Sequence, residues 1–171
     1  MKMLLKVLIL FMFLSSSTVI AQTAFSSATA NVEVTIITPL TITKLVDMNF
    51  GNIISGVSPG TVVLDVLDNR NPTGGVTLPT TIPGTITSAR FLITGMANAT
   101  FNIQIPTQFT ISDGVNIMNV NNFVISSSTV ETLDNTGQRE ISVGATLEVN
   151  GNQPHGLYSN TTDIEITVAY N

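Results

Sequence analysis

The sequence contains no cysteine and no tryptophan, one histidine, His155, and only 10% charged residues in 171. Without cysteine there is no disulfide framework, no thiolate metal site and no cysteine nucleophile. A single histidine leaves no His pair to hold a metal. Soluble domains carry about 25% charged residues, so the polarity of this chain comes from Thr, Ser and Asn, which suit strands and turns better than helices. H-E-x-x-H pairs, glycine-rich phosphate loops and basic patches interleaved with aromatics are missing, and with them the footholds of zinc proteolysis, nucleotide binding and nucleic-acid binding. No cofactor, no metal and no nucleic-acid partner are expected.

What is present begins with an export signal. Lys2 and Lys6 give a positive start, Val7 to Leu14 is an uncharged apolar run, and Ser15 to Ala21 is a small-residue approach to a cleavage site. Val19 and Ala21 favour cleavage after Ala21, although Ala28-Thr29-Ala30 is a later literal A-x-A. The apolar stretch is shorter than the roughly 20 residues needed to span a bilayer, so a signal peptide over 1–21 is preferred to a retained anchor. No integral membrane segment is expected after cleavage, and the product is expected in the periplasm, at the cell surface or outside the cell. Losing residues 1–21 removes Lys2 and Lys6 and leaves 150 residues with four basic against eleven acidic side chains, a net charge of −7. One acidic domain over 22–171 follows, poorly suited to nucleic acid or an anionic membrane.

Period-two patterning dominates this domain. Ala30, Val32, Val34 and Ile36 alternate with Asn31, Glu33 and Thr35, and Phe101, Ile103 and Ile105 alternate with Asn102 and Gln104. Ile141, Val143, Ala145, Leu147 and Val149 form the longest such run. Each predicts a half-buried strand, because a 3.6-residue helix would scatter these side chains around its circumference. Turn signals such as Ser58-Pro59-Gly60, Pro83-Gly84, Asn135-Thr136-Gly137 and Asn150-Gly151 divide the runs and imply roughly eight or more strands. Asp113-Gly114 predicts a two-residue hairpin turn. Asp68 to Thr81, interrupted by Pro72, Gly74, Gly75 and Pro79, predicts a long surface loop. The fold class is all-β, an antiparallel immunoglobulin-like sandwich in preference to a closed barrel.

Reactive groups are few, and each has a plain structural reading. His155, in Gln153-Pro154-His155-Gly156, reads as a solvated loop histidine, with no nucleophile elbow expected to present a serine to it. Glu131, Asp134 and Glu140 are close enough in sequence to suggest a carboxylate pair, but acids on strands and turns ordinarily face water. Asp65, Asp68, Asn69 and Asn71 offer hard oxygens for a weak calcium site, yet lack the spaced pattern of a calcium loop and are the residues that build turns. Asn98-Ala99-Thr100 and Asn160-Thr161-Thr162 are formal glycosylation sequons expected by chance in so Asn- and Thr-rich a chain. Tyr158 is the one tyrosine placed to serve as a loop platform for a sugar.

The most informative residues lie at the C-terminus. His155-Gly156-Leu157-Tyr158-Ser159 is followed by Asp163-Ile164-Glu165-Ile166-Thr167-Val168-Ala169-Tyr170-Asn171, an alternating strand with a penultimate tyrosine. Together with Asn49-Phe50-Gly51-Asn52, this resembles the closing and opening motifs of spore coat protein U, of Mat/Ecp-type fimbrial subunits, and of an allied secreted bacterial family of unknown function. The resemblance implies a non-enzymatic, pilin-like surface protein, assembled as a homo-polymer or through a periplasmic chaperone. Carried over, Ile164, Ile166, Val168 and Tyr170 would face the partner-binding groove, with Gly156 at the motif's glycine. An N-terminal arm over 22–30 would be donated to a neighbour, anchored by Phe25. The alternative from the residues themselves is a self-complete sandwich acting as a monomeric secreted binding module for glycan or protein ligands.

Overall fold

The computed structural model describes residues 24–160 and 164–171, and the described residues contain strands and no helix. The strands are β1 (Thr41–Val46), β2 (Ile54–Leu64), β3 (Arg70–Thr77), β4 (Ala89–Thr94), β5 (Thr100–Gln104), β6 (Gln108–Ser112), β7 (Ile117–Ile125), β8 (Val130–Thr132), β9 (Gln138–Val149) and β10 (Thr167–Tyr170). All pairings are antiparallel. One sheet has seven strands, with the path β1-β4-β9-β2-β3 and the β6–β7 hairpin joined to it through β9. The other has three, in the order β10-β5-β8. The proposed signal peptide, 1–21, lies outside the described residues.

β9 is the axis of the larger sheet. Val143 faces Ala89 of β4 and Ile125 of β7, while Leu147 faces Val62 of β2 and Val120 of β7. β7 therefore flanks one side, and β4 and β2 share the other. The predicted inward set, Ile141, Val143, Ala145, Leu147 and Val149, is buried throughout, as period-two alternation requires of a central strand. β5 behaves likewise: Phe101 and Ile103 are buried while Thr100, Asn102 and Gln104 are exposed.

Two apolar clusters divide the core. The first lies between the sheets, joining Ile93, Ile141 and Val143 to Phe101, Ile103, Leu133 and Ile166. The second, Val62, Val76, Met118, Val120, Ala145, Leu147 and Val149, comes wholly from the larger sheet. The smaller sheet does not cover it. Its lid is made by connecting segments instead, through Met48, Phe50, Ile53, Leu78 and Tyr158.

Three expectations are corrected. The stretch expected to be a loop, Asp68 to Thr81, contains β3, paired with β2 from Leu64↔Arg70 to Ile54↔Thr77. Pro72 is tolerated because β3 ends the sheet's strand path, and its missing N–H costs no interior ladder bond. Gly75 is required by close packing, since a Cβ there would run into the Ser58 carbonyl of β2. The Asp113-Gly114 hairpin exists, but its loop is Asp113 to Asn116 rather than two residues, closing on the Ser112↔Ile117 pair. The Asp113 carboxylate widens it by accepting the N–H groups of Val115 and Asn116, an Asx turn. Finally, the strand expected over Ala30 to Ile36 does not form. Residues 36–171 make one compact unit, and residues 24–35 lie outside it, carrying no strand and exposed at every position.

Candidate functional site

The segment leading into the C-terminal strand builds one wall of the candidate site. β10 is shorter than the alternation from Ile164 to Tyr170 predicts, with ladder pairing to β5 confined to Thr167–Tyr170. The inward parity nevertheless holds: Ile166 is buried, and Val168 and Tyr170 pack half-buried against the inter-sheet cluster. β10 ends the smaller sheet and β1 ends the strand path of the larger one. They lie side by side without ladder pairing. Between β1 and the approach to β10 is an open slot of about 420 Å³, lined by Ile42, Lys44, Phe91, Ile164, Glu165 and Ile166.

Tyr170 fastens one end of this arrangement. Its hydroxyl donates to the Thr38 carbonyl at 2.9 Å and accepts the Met96 N–H at 2.7 Å. It so ties the lead-in to β1 to the β4–β5 turn. Gly95 makes room for it, because a Cβ at that position would meet the Tyr170 hydroxyl. Tyr170→Phe is expected to cost roughly 1–2 kcal/mol, two hydrogen bonds at about 1 kcal/mol each. Urea unfolding would measure it, together with faster hydrogen exchange at the Met96 amide.

A second concavity, of about 720 Å³, lies over the second core cluster. Phe109, Ile111, Met118 and Val120 form its apolar floor, and the Met48–Ser55 and Gln153–Asn160 segments form its rim. His155 sits exposed on that rim. Tyr158, the loop tyrosine of the runner-up sugar-binding reading, is half-buried, its hydroxyl donating to the Pro154 carbonyl at 2.9 Å and accepting from Gln153 Nε2 at 3.0 Å. Gly156 is exposed, and an added Cβ would make only ordinary contact with Asp113 at 3.5 Å. Its backbone therefore does not demand glycine.

The remaining acids are committed to turns and pairs. Asp65 accepts the N–H groups of Leu67 and Asn69 and the Asn69 amide, and these bonds lower its pKa. Asp68 accepts the Ser88 N–H and hydroxyl and pairs with Arg90 at 2.7 Å. Both carboxylates of the suspected calcium loop thus serve protein donors. Glu131 pairs with Arg139 at 2.7 Å, Asp134 caps the turn before β9 through Thr136 and Gln138, and Glu140 is exposed. Among the described residues no group of three or more His, Asp or Glu side chains is placed to hold a metal. Asn98 sits in a tight turn with φ of 59°. Asn160 is exposed, and the threonines of its sequon lie outside the described residues.

Sequence reading overlooked a literal G-x-S-x-G, Gly56-Val57-Ser58-Pro59-Gly60. It lies within β2, where the register with β3 shifts between Ser55 and Gly60, and runs on along the same strand. A nucleophile elbow is a strand-to-helix turn, so the match is one of spacing only. Ile42 and Phe91, which line the slot, were also missed. Their signal, two neighbouring edge strands, exists only once the topology is known. Phe25, expected to anchor a donor arm, is 92% exposed, and so are Val32, Val34 and Ile36, at 94%, 86% and 92%.

No helix among the described residues is long and apolar enough to cross a membrane. Comparison with curated proteins and with solved structures gives no match. A protein-family model, by contrast, matches residues 40–170, from the residue before β1 to the last residue of β10. The chain therefore belongs to the family described as a domain of unknown function, DUF4402.

Proposed function

We propose that this protein is a non-enzymatic, exported structural or adhesive surface subunit with an immunoglobulin-like, pilin-like fold, and that copies assemble by exchanging a strand. Residues 1–21 act as the export signal in this reading, and a periplasmic chaperone is a partner before assembly. The observation that carries it is the N-terminal segment, whose Phe25, Val32, Val34 and Ile36 are all at least 86% exposed. Fully burying such a side chain contributes about 1.5–3 kcal/mol, so four left in water favour any partner able to cover them. Two sheet edges, β1 and β10, stand ready for strand addition.

The test is the mass of residues 22–171 by light scattering, with heat-resistant multimers sought on a denaturing gel. A ladder is expected, and it is expected to vanish when residues 22–36 are removed. The second reading, a monomeric module binding a glycan or protein ligand, is favoured by the 720 Å³ concavity with its apolar floor and mixed rim, within the size range of small-ligand sites. A stable monomer that melts cooperatively would select it.

A further inference from the structure

We infer that the 720 Å³ concavity is a binding site for a small uncharged amphiphile, a single aliphatic chain with a hydroxylated head. This rests on the second reading above, that the concavity takes a ligand, and changes that ligand from glycan or protein to a lipid-like molecule. It holds whether or not copies assemble. The smaller sheet packs on the first core cluster and leaves the second without a covering layer of strands. The concavity lies over that second cluster.

Its floor is one apolar face running across three strands. Phe109 of β6 faces Val120 of β7, which faces Leu147 of β9, and Ile111 faces Met118 one step further along the hairpin. Such rows lie about 7 Å apart along a strand, so an extended chain can lie along the floor in continuous contact. The walls are held without a ligand. Asn49 exchanges backbone hydrogen bonds with Thr87 at 2.8 and 3.0 Å, and Arg70 Nη1 donates to the Phe50 and Asn52 carbonyls at 2.7 and 2.9 Å. In the other wall Ser159 exchanges backbone bonds with Ser112 at 2.8 and 3.0 Å. The two walls are tied together at one end, where the Asn152 N–H donates to the Gly56 carbonyl at 2.7 Å and the Ser55 hydroxyl to the Gln153 carbonyl at 3.0 Å. Little ordering is left for a ligand to impose.

The lining selects against charge and against sugar. Among the described residues that line it there is no Asp, Glu, Lys or Arg, so an ionised head would find no counter-charge there. The chain's net charge of −5 repels anions further. The lining amides are spent on the walls themselves: Asn49 accepts the Gly51 N–H, Asn52 donates to the Ile82 carbonyl, and Gln153 joins Asn150 to Tyr158. A sugar, with a hydroxyl on nearly every carbon, would leave many of them unpaired over this floor. An aliphatic chain asks only for apolar contact, to which the flexible side chains of Met48 and Met118 adjust. His155, exposed on the rim, can meet a hydroxylated head by donating or accepting a hydrogen bond.

The methionines make the test direct. In residues 22–171 they are Met48 and Met118, which line the concavity, and Met96, which sits in the β4–β5 turn beside Tyr170. That chain, with isotope-labelled methionine methyl groups, is titrated in an NMR experiment with monododecanoylglycerol, dodecanoate and maltotetraose, each lipid below its micelle concentration. The Met48 and Met118 signals are expected to move with monododecanoylglycerol while Met96 stays fixed, and dodecanoate is expected to bind roughly tenfold more weakly. Ile111→Phe narrows the floor, and Leu157→Asp places a charge on the rim at a position 85% exposed, where the fold does not depend on it. Each is expected to weaken binding about tenfold. Equal affinity for dodecanoate, or equal movement of Met96, would overturn the inference. Movement of Met48 and Met118 with maltotetraose alone would overturn it while leaving the binding-module reading standing. Silence toward all three probes would overturn it and also remove the support that the concavity lends to that reading.

Discussion

Phe101→Ala is expected to destabilise the protein by about 3–5 kcal/mol, the range for removing a fully buried phenylalanine. Phe101 has no exposed surface and lies on β5, the middle strand of the three-stranded sheet. It pairs with Tyr170 on one side and Glu131 on the other, and its ring fills the cluster shared with Ile93, Ile141 and Leu133. Truncation leaves a cavity that β5 cannot collapse, because neighbours on both edges hold its backbone. Against the 5–15 kcal/mol that stabilises a typical domain, the loss is large, and in a chain of this size it corresponds to roughly 6–20 °C in melting temperature. Urea denaturation should show a lower midpoint with an unchanged slope, the mark of altered stability without altered compactness. β10 joins the smaller sheet through β5 alone. Loss of Phe101 should therefore also speed hydrogen exchange in Thr167–Tyr170 before it does so in β9.

β9 and β5 were legible because each has one buried and one exposed face, and period two then maps directly onto burial. β3 was not. Pro72, Gly74 and Gly75 look like breaks in isolation, but in β3 they lie against the irregular half of β2, where Gly56 and Gly60 bring the two backbones too close for side chains. Periodicity sees side chains, and this pairing is made where side chains are missing. The reverse error occurred at Ala30 to Ile36, whose alternation is as regular as that of β9. Alternation specifies a face to be covered, and it is silent on whether the cover comes from the same chain.

The candidate site divides the same way. Ile164, Ile166, Val168 and Tyr170 were picked out through the resemblance of the closing strand to that of fimbrial subunits, and the structure packs the last three in or against the inter-sheet cluster. The role of the Tyr170 hydroxyl was not legible, since Thr38 and Met96 are 132 and 74 residues distant in sequence. Nor was the slot, because it depends on β1 and β10 ending different sheets next to one another. Asp65 and Asp68 looked like ligands for the same reason that they make good turns. A carboxylate among Asn residues can satisfy backbone N–H groups as readily as a cation.

Asp68→Ala is expected to cost about 2–4 kcal/mol, more than a surface acid ordinarily would, because two of the donors it serves belong to a buried residue. Ser88 has no exposed surface, and Asp68 accepts its N–H at 2.6 Å and its hydroxyl at 2.8 Å, while the second carboxylate oxygen meets Arg90 at 2.7 Å. Alanine would strand the Ser88 donors and leave the Arg90 guanidinium without its counter-charge. It would also have to adopt the φ of 66° that Asp68 holds, a conformation Asp tolerates better than Ala. Asp68→Asn keeps an acceptor oxygen for Ser88 and loses only the charge toward Arg90, so it should recover roughly half of the loss. The wild-type protein should report the same contacts through pH. Bonds from Ser88 lower the Asp68 pKa, and turn N–H and side-chain amide or hydroxyl bonds lower those of Asp65, Asp113 and Asp134, each from an ordinary value of 3.8. A folded-state pKa below the unfolded one gives stability that is fully present above the unfolded value and is lost as the pH falls through the folded one. Melting temperature should therefore hold steady down to about pH 5 and drop progressively below pH 4. In Asp68→Ala the drop should be shallower, because the variant has already lost one of these contributions, the one through Ser88.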